Sequence, residues 1–373
     1  MKRAIAVLII FVTVIGLAIP IYQRKDRLFV KYDPLYWQIQ YAESNWVKGW
    51  DATTTLSDEE LYAYASYRQI KGDDPVLINP EMPPLAKYII GFSIVLFQNQ
   101  YLISILIGVV LFVSTYMLAL IFIKNKTWAL LPVALLSLDK LFQDNILTSM
   151  IDLPYALFIT LSFYFFIKGH FKRYNYALAW LFLACVSGTK MYMVGFAIGV
   201  IWLIYLAFIS FFYRRNDLFY SLKYLVVFIL VYLGIYMQYF LHSHSLVDFK
   251  IYHFWIRHFA RVQVTDYPKF EILRILLLGK WHTWWGQGAI ESVAQWSILW
   301  PLSFILTIIK IFTQTLNFKK SHLPFFVLSL WIFSLLGMFS YGVSYPRYIL
   351  PLIPALYINL VSMFKLLPFE KNG

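Results

Sequence analysis

The chain has 373 residues, of which 60% are hydrophobic and only 14% are charged. A soluble domain carries roughly a quarter charged residues, so this composition excludes an ordinary soluble protein. The net charge is +13, but the basic residues stand in short clusters between apolar runs rather than in one patch. That distribution follows the positive-inside rule and argues against nucleic acid as a partner. The sequence therefore predicts an all-α polytopic membrane protein.

The apolar runs set the predicted topology. The first run, residues 4–21, follows Lys2 and Arg3 and has no small-x-small cleavage site, so we expect an uncleaved helix with a cytoplasmic N-terminus. Nine further runs predict membrane crossings, at 102–123, 128–142, 153–167, 176–186, 194–213, 219–241, 296–312, 323–339 and 348–367. If the crossings alternate, the basic clusters that end them all face the cytoplasm: Lys124 and Lys126; Lys168, Lys172 and Arg173; Arg214 and Arg215; Lys319 and Lys320; and Lys371. The sequence thus predicts about ten transmembrane helices in one domain, 1–373, with two long external loops at 22–100 and 242–295.

The first external loop contains an acidic stretch that ends at a double proline, Pro83-Pro84. Its start, Ser57-Asp58-Glu59-Glu60, has the Ser-x-x-Glu pattern of a capping box and predicts a helix. Residues 85–97 are apolar enough for a second short helix at the membrane interface. The acids by themselves also suit a surface helix, since carboxylates favour the positive end of the helix dipole. The predicted elbow between the two helices is rigid and carries Glu81. This construction favours a structured functional site over a solvated loop.

Three further ionisable residues lie at the predicted external ends of apolar runs: Asp152, Lys190 and Arg347. Each has a structural alternative. Asp152 suits a helix N-cap, Lys190 a snorkelling anchor, and Arg347 an interfacial position among aromatic residues. Charged residues in such places are nevertheless candidates for function.

The second external loop holds five of the seven histidines, at positions 242, 244, 253, 258 and 282. His242 and His244 could chelate a metal, but no acidic pair nearby completes a site, so we expect no metal cofactor and keep a divalent ion as the alternative. The same loop contains "GKWHTWWGQG", with Trp281, Trp284 and Trp285. These rings suit a sugar or a lipid headgroup, and they equally suit an interfacial aromatic belt.

The external carboxylates and cations together indicate a type of chemistry. A carboxylate can act as a general base on a hydroxyl or an amine. Cations can stabilise a leaving phosphate. The pairing predicts group transfer from a lipid phosphate at the outer membrane surface.

Five segments, in consistent order along the chain, resemble the GT-C glycosyltransferases that use polyprenyl-phosphate sugars. The resemblance is to the protein O-mannosyltransferases and the lipid A aminoarabinose transferases. The segments are "DEELYA", "GDDPVLINPEMPPLAK", "TSMIDLPYALF", "ACVSGTKMYMVGF" and "SYPRYILPLIPAL". A sixth segment, "WHTWWGQGAIESVAQWSILWPL", is similar more loosely to the Trp-rich loop of the mannosyltransferases. Those families usually place His or Lys directly before the double proline, where this chain has Met82.

The resemblance implies a GT-C fold and an inverting transfer of a mannose-like sugar from a polyprenyl phosphate to an acceptor hydroxyl. The expected acceptor is Ser or Thr of an exported protein, at the outer face of a prokaryotic cytoplasmic membrane. The resemblance implies that Asp58 is the catalytic base and that Glu59 and Asp152 are also catalytic residues. It implies that Lys190 and Arg347 bind the donor phosphate. We also expect four substrate-loop residues: Glu81, Lys87, Trp281 and His282. Two alternatives stay open, a lipid or envelope-glycan acceptor and a non-catalytic transporter of a lipid-linked sugar.

Overall fold

The structure is a computed structural model, and it describes residues 2–213, 216–262, 267–283, 288–316 and 323–364. These residues form seventeen α-helices and one two-stranded antiparallel hairpin. The helices are α1 (Lys2–Gln23), α2 (Pro34–Ala42), α3 (Asp58–Ile70), α4 (Leu85–Phe97), α5 (Leu102–Phe122), α6 (Leu131–Leu138), α7 (Lys140–Asp144), α8 (Asp152–Gly169), α9 (Asn175–Thr189), α10 (Tyr192–Tyr213), α11 (Asp217–Ile235), α12 (Met237–Leu241), α13 (Leu246–Val262), α14 (Glu271–Leu278), α15 (Leu299–Leu316), α16 (Leu323–Phe339) and α17 (Ile353–Phe364). The hairpin pairs β1 (Lys280–His282) with β2 (Ile290–Ser292).

Five described helices are long and apolar enough to cross a membrane: α1, α5, α10, α11 and α15. The apolar helices α9 and α16 are shorter and also coincide with predicted crossings. The protein is therefore an all-α integral membrane protein, as the sequence predicts, while the count of about ten crossings stays a prediction. The basic clusters at 214–215 and 319–320, and Lys371, lie outside the described residues.

The predicted crossing at 128–142 is not one continuous helix. A 3₁₀ turn, Trp128–Leu130, leads into α6, and Asp139 separates α6 from α7. The Asp139 carboxylate is buried and accepts hydrogen bonds from the Leu141 amide at 2.9 Å, from Trp300 Nε1 at 2.8 Å and from Tyr357 Oη at 2.5 Å. A buried carboxylate needs hydrogen-bond donors, and the break in the helix leaves the Leu141 amide free to be one of them.

The predicted crossing at 348–367 is also interrupted. It begins as a 3₁₀ segment, Pro346–Leu352, and becomes α-helical only at Ile353. Pro351 lacks the amide hydrogen that an α-helix interior requires, which explains why the segment up to Leu352 is a 3₁₀ helix. This 3₁₀ segment carries Arg347.

The first external loop folds into α2, α3 and α4. The capping box is confirmed, since the Glu60 carboxylate accepts from the Ser57 amide at 2.9 Å and Ser57 Oγ accepts from the Glu60 amide at 3.4 Å. The short helix after the double proline is confirmed at Leu85–Phe97. Helix α2 was not predicted, although Asp33 as N-cap and Pro34 as first residue are a recognisable start signal.

The second external loop braces the first one. Gln238 of α12, just before this loop, donates from Nε2 to the Gln69 carbonyl at 2.9 Å, and the ring nitrogen of His244 in the loop lies 2.5 Å from the Asp74 carboxylate. The Tyr252 hydroxyl donates to the Pro80 carbonyl. These contacts hold the segment between α3 and α4, so the position of α3 depends on both loops.

Helices α3 and α4 pack closely at Gly91. A Cβ atom at this position would lie 2.6 Å from the Ser66 carbonyl oxygen and 2.8 Å from the Cβ of Ile70. The backbone atom of Ser66 cannot rotate away, so only glycine allows this approach.

We expect Gly91→Ala to lower the free energy of unfolding by about 1–3 kcal/mol, because the added methyl group separates α3 from α4. Thermal unfolding of the purified protein in detergent measures the loss. The matched control is Gly234→Ala in α11, where an added Cβ has no neighbour within 4 Å. The control variant should keep or slightly gain stability, and an equal loss in both variants would contradict the close α3–α4 contact.

Candidate active site

Four charged side chains from four separate elements meet at one end of the helical bundle. Arg347 Nη2 donates to Asp58 Oδ2 at 2.6 Å, and Arg347 Nε lies 3.9 Å from Asp152 Oδ2. Lys190 forms a close ion pair with Asp152 Oδ1. We call these four residues the charge cluster. The structure thus brings together the two carboxylates and the two cations that the sequence proposed as the core of a site.

Each member of the charge cluster occupies the end of a helix or a helix break. Asp58 is the first residue of α3 because Ser57 caps that helix. Asp152 is the first residue of α8, and of its two carboxylate oxygens Oδ1 accepts from Lys190 while Oδ2 has no hydrogen-bond partner. The carboxylate of Asp152 is directed to Lys190 instead, so the N-cap alternative does not describe its contacts. Lys190 itself follows the last residue of α9.

Exposure decreases sharply across the charge cluster. The exposed fractions of the side chains are 37% for Asp58 and 21% for Arg347, but only 3% for Lys190 and 2% for Asp152. Asp58 therefore stands at the open side of the cluster and Asp152 at its floor.

The pKa values of the two cations depend on this burial and on the neighbouring carboxylates. Burial lowers the pKa of Lys190 to about 8, an effect that the adjacent Asp152 carboxylate opposes. Burial also lowers the pKa of Arg347, but the carboxylates of Asp152 and Asp58 outweigh it and raise that pKa overall. The Lys190 ammonium lies 4.0 Å from the centroid of the Tyr348 ring, which favours its charged form further.

Glu59 points away from the charge cluster. Its carboxylate accepts from Arg27 Nη1 at 2.5 Å and from the Ser149 amide at 3.3 Å. Arg27 also donates to the Leu147 carbonyl at 2.9 Å. Glu59 thus connects α3 to the segment after α1 and to the loop that leads into α8. The sequence did not single out Arg27, whose only signal was its place in the loop that contains the acidic stretch.

Glu81 belongs to the elbow between α3 and α4, and Lys87 lies in the first turn of α4. The Glu81 carboxylate accepts a hydrogen bond from the Asn79 side chain, and Lys87 Nζ donates to the Asn79 carbonyl at 2.7 Å. Lys87 has no exposed surface. Burial raises the pKa of Glu81, and the negative charge of Asp58 adds to the effect. Contact of either residue with a substrate stays a prediction.

Met82 has an apolar role in this structure. Its side chain packs against the buried cluster that contains Tyr32, Tyr62 and Ile151. The families that the sequence resembles usually have His or Lys at this position, whereas here Met82 contributes to the apolar packing around α3.

The hairpin holds Trp281 next to the segment of Arg347. Trp281 Nε1 donates to the Ser344 carbonyl at 2.8 Å, and its ring lies 5.9 Å from that of Tyr345. The His282 amide donates to the Glu271 carboxylate at 2.7 Å. Trp284 and Trp285 lie outside the described residues, so only Trp281 of the three tryptophans is placed.

The candidate metal pair, His242 and His244, bonds to the first loop instead of converging. The His242 ring nitrogen lies 2.8 Å from the Gly72 carbonyl oxygen, and the His244 ring nitrogen is hydrogen-bonded to the Asp74 carboxylate. Among the residues that the structure describes, no group of three or more His, Cys, Asp or Glu side chains could hold a metal ion.

We expect Asp152→Asn to lower the free energy of unfolding by about 3–5 kcal/mol, because it leaves the buried Lys190 without its counter-charge. The double variant Asp152→Asn with Lys190→Met should recover most of this loss. The control is Glu43→Gln, which removes one carboxylate from an ion pair with Lys48 whose side chains are 40% exposed. Unfolding of purified protein in detergent gives the comparison, and similar small losses in Asp152→Asn and Glu43→Gln would contradict the dependence on burial.

Sequence comparison finds few relatives. No family model matches the chain. An uncharacterized protein of Aquifex aeolicus (strain VF5) is 30% identical over 142 residues, which cover 35% of this chain and 28% of that protein.

Comparison of structures finds two groups of membrane enzymes. ArnT from Cupriavidus metallidurans, bound to undecaprenyl phosphate, superposes with a TM-score of 0.63 at 17% identity over 97% of this chain. The oligosaccharyltransferase of Archaeoglobus fulgidus, in complex with zinc and sulfate, gives a TM-score of 0.52 at 14% identity over 96% of this chain. The chain spans 60% of the ArnT chain and 50% of the oligosaccharyltransferase chain. Both proteins are GT-C glycosyltransferases. At these identities the likeness concerns the fold, and this chain has the GT-C fold.

Proposed function

We propose that this protein is an inverting glycosyltransferase that moves a sugar from a polyprenyl phosphate to an acceptor hydroxyl at the outer face of the membrane. The observation that carries the proposal is the charge cluster, in which a partly exposed carboxylate and two cations stand together at one end of a GT-C fold. Undecaprenyl phosphate bound to ArnT supports a lipid phosphate as the donor's carrier.

The proposed reaction gives direct roles to Asp58, Lys190 and Arg347, while Asp152 compensates the charge of Lys190. Asp58 accepts the proton of the acceptor hydroxyl, whose oxygen attacks the anomeric carbon of the sugar. The bond between that carbon and the phosphate oxygen breaks, and the polyprenyl phosphate leaves with the electron pair. Lys190 and Arg347 stabilise the negative charge on the leaving phosphate. The configuration at the anomeric carbon inverts because one displacement takes place.

The charge balance of the cluster adds a constraint to this mechanism. Two carboxylates and two cations already compensate one another, so an incoming phosphate competes with a carboxylate for a cation. Arg347 is the more exposed cation, and its shortest ion pair is with Asp58. The proposed exchange moves Arg347 from Asp58 to the phosphate, which frees the Asp58 carboxylate to act as a base after the donor has bound.

The sugar and the acceptor are the finer part of the proposal. We assign a mannose-like sugar and Ser or Thr of an exported protein, in the cytoplasmic membrane of a prokaryote, with a lipid or envelope glycan as the alternative acceptor. Glu81, Lys87, Trp281 and His282 would then contact the substrates from the loops, and Glu59 would position the α3 carboxylates. A transporter without chemistry is less well supported, because the charged residues gather at one end of the helices and not at the membrane midplane.

We expect Asp58→Asn to reduce sugar transfer about 100-fold or more, because the general base is lost. The same variant should bind undecaprenyl phosphate more tightly than the wild type, because Asp58 no longer competes for Arg347. Transfer from polyprenyl-phosphate sugars by the purified protein measures the first effect, and titration with undecaprenyl phosphate measures the second.

Glu60→Gln is the matched control for this experiment. It removes one negative charge from the same helical turn and keeps the side chain that a capping box accepts. Full transfer activity in Asp58→Asn would overturn the assignment of the base. Loss of transfer without tighter binding of undecaprenyl phosphate would overturn only the proposed exchange of Arg347, and the assignment of Asp58 as the base would stand.

Mass spectrometry of envelope proteins and glycolipids, with and without this gene, tests the acceptor. We expect a hexose mass to disappear from Ser or Thr of exported proteins. A change confined to glycolipids or surface glycans would replace the protein acceptor by the alternative one.

A further inference from the structure

Helix α13 in the second loop packs against the protein with one face only. Tyr252 and Ile256 lie on that inner face and are buried. The Tyr252 hydroxyl donates to the Pro80 carbonyl of the first loop, and the Tyr192 hydroxyl donates to the His253 carbonyl at 2.9 Å. These contacts fix α13 along one side, and they determine which of its side chains face away from the protein.

The outward side of α13 carries a row of apolar side chains. They are spaced by three, four or seven positions, so they lie along one face of the helix. Each of them is between 42% and 66% exposed: Val247, Ile251, Phe254, Trp255 and Val262. A continuous exposed apolar strip of this kind marks a surface that contacts lipid or another protein.

A row of basic side chains runs beside the apolar row. Lys250, Arg257 and Arg261 are exposed and are spaced by seven and four positions, so they form one line along α13 over about 16 Å. Lys250 Nζ lies 6.0 Å from the centroid of the Phe254 ring, which places the two rows next to each other. Within the described ranges of the chain, none of the three cations forms an ion pair with a carboxylate. The line is therefore available to an anionic partner.

The apolar row continues an exposed apolar surface that starts on a membrane-spanning helix. Helix α11 exposes Ile229 and Leu230, and the short helix α12 that follows it exposes Met237 and Leu241. Of the described helices, α13 is not one that is long and apolar enough to cross a membrane, whereas α11 is. The chain thus leaves the membrane at the end of α11 and enters α13 close to the membrane boundary.

The two parallel rows match the layers of a lipid leaflet. A helix that lies in the plane of the interface buries its apolar side by about 5–10 Å, and its basic residues stay at the level of the headgroups. The apolar row of α13 would contact the upper part of the acyl chains, and the basic row would meet the phosphates. An acidic protein segment would also pair with the basic row, but the continuation of the apolar row from α11 favours lipid as the partner.

We propose that α13 lies in the membrane surface and binds the phosphates of anionic phospholipids through Lys250, Arg257 and Arg261. The partner is the phospholipid of the surrounding leaflet and not a polyprenyl phosphate at the charge cluster, so the inference does not depend on the proposed function. The inner face of α13 contacts the first loop at Pro80, and bound phospholipid should therefore stabilise both loops.

The test replaces the basic row in the full chain by Lys250→Gln, Arg257→Gln and Arg261→Gln together. Purified protein in neutral detergent at low salt is titrated with phosphatidylglycerol or phosphatidylcholine. Native mass spectrometry of the lipid adducts measures binding, and thermal unfolding measures stabilisation. We expect the wild type to bind phosphatidylglycerol about tenfold or more tightly than phosphatidylcholine, because each cation near an anionic lipid surface adds to the attraction. The variant should bind both lipids equally and gain no extra stability from phosphatidylglycerol.

The matched control is the triple variant Lys31→Gln, Lys71→Gln and Lys269→Gln. These lysines are also exposed and lie outside α13, so the control has the same net charge as the α13 variant. It should keep the wild-type preference for phosphatidylglycerol. Without added lipid, both triple variants should unfold at the wild-type temperature, because all the replaced side chains are exposed.

Four outcomes would overturn the inference. A wild type that binds both lipids equally has no anionic-lipid surface, and a preference that survives in the α13 variant belongs to another part of the protein. Equal losses in the two triple variants would show an effect of net charge alone. If polyglutamate stabilises the wild type as much as phosphatidylglycerol does, the basic row binds an acidic protein segment. If the wild type is a dimer in detergent and the α13 variant is a monomer, the surface is an interface between two copies of the chain.

Discussion

The requirement that buried charges be paired organises the end of the helical bundle that holds the charge cluster. Asp152 and Lys190 are almost inaccessible to water, and each alone would be costly to bury. Arg347 extends the pairing to Asp58, which lies 289 positions away in the chain. The four side chains come from α3, the start of α8, the end of α9 and the 3₁₀ segment before α17. None of these elements can move far without leaving a charge unpaired.

The elements around the charge cluster maintain this arrangement. Gly91 allows α4 to press against α3, and Arg27 joins Glu59 to the loop before α8. The second loop contacts the elbow of the first through His244, and Gln238 of α12 bonds to the end of α3. The site therefore depends on long-range contacts that are individually modest.

Local signals explain what could be predicted. The capping box at Ser57, the helix after Pro84 and the long apolar helices were all readable, because each depends on residues a few positions apart. The break at Asp139 was missed, because Asp139 bonds to Trp300 and Tyr357 from distant helices. The pairing of Glu59 with Arg27 and the hairpin at Lys280–His282 were missed for the same reason, since their partners are set by packing and not by spacing. The 3₁₀ segment Pro346–Leu352 was missed although Pro351 is a local signal.

The sequence by itself determined that the chain is an all-α membrane protein, and it identified Asp58, Asp152, Lys190 and Arg347 as the residues to consider together. Composition and short motifs are sufficient for that, because hydrophobicity and helix starts are local properties. Only the tertiary structure decided which carboxylate faces which cation and that Glu59 turns to Arg27. Those facts depend on distances between residues far apart in the chain, and a single sequence contains no measure of such distances.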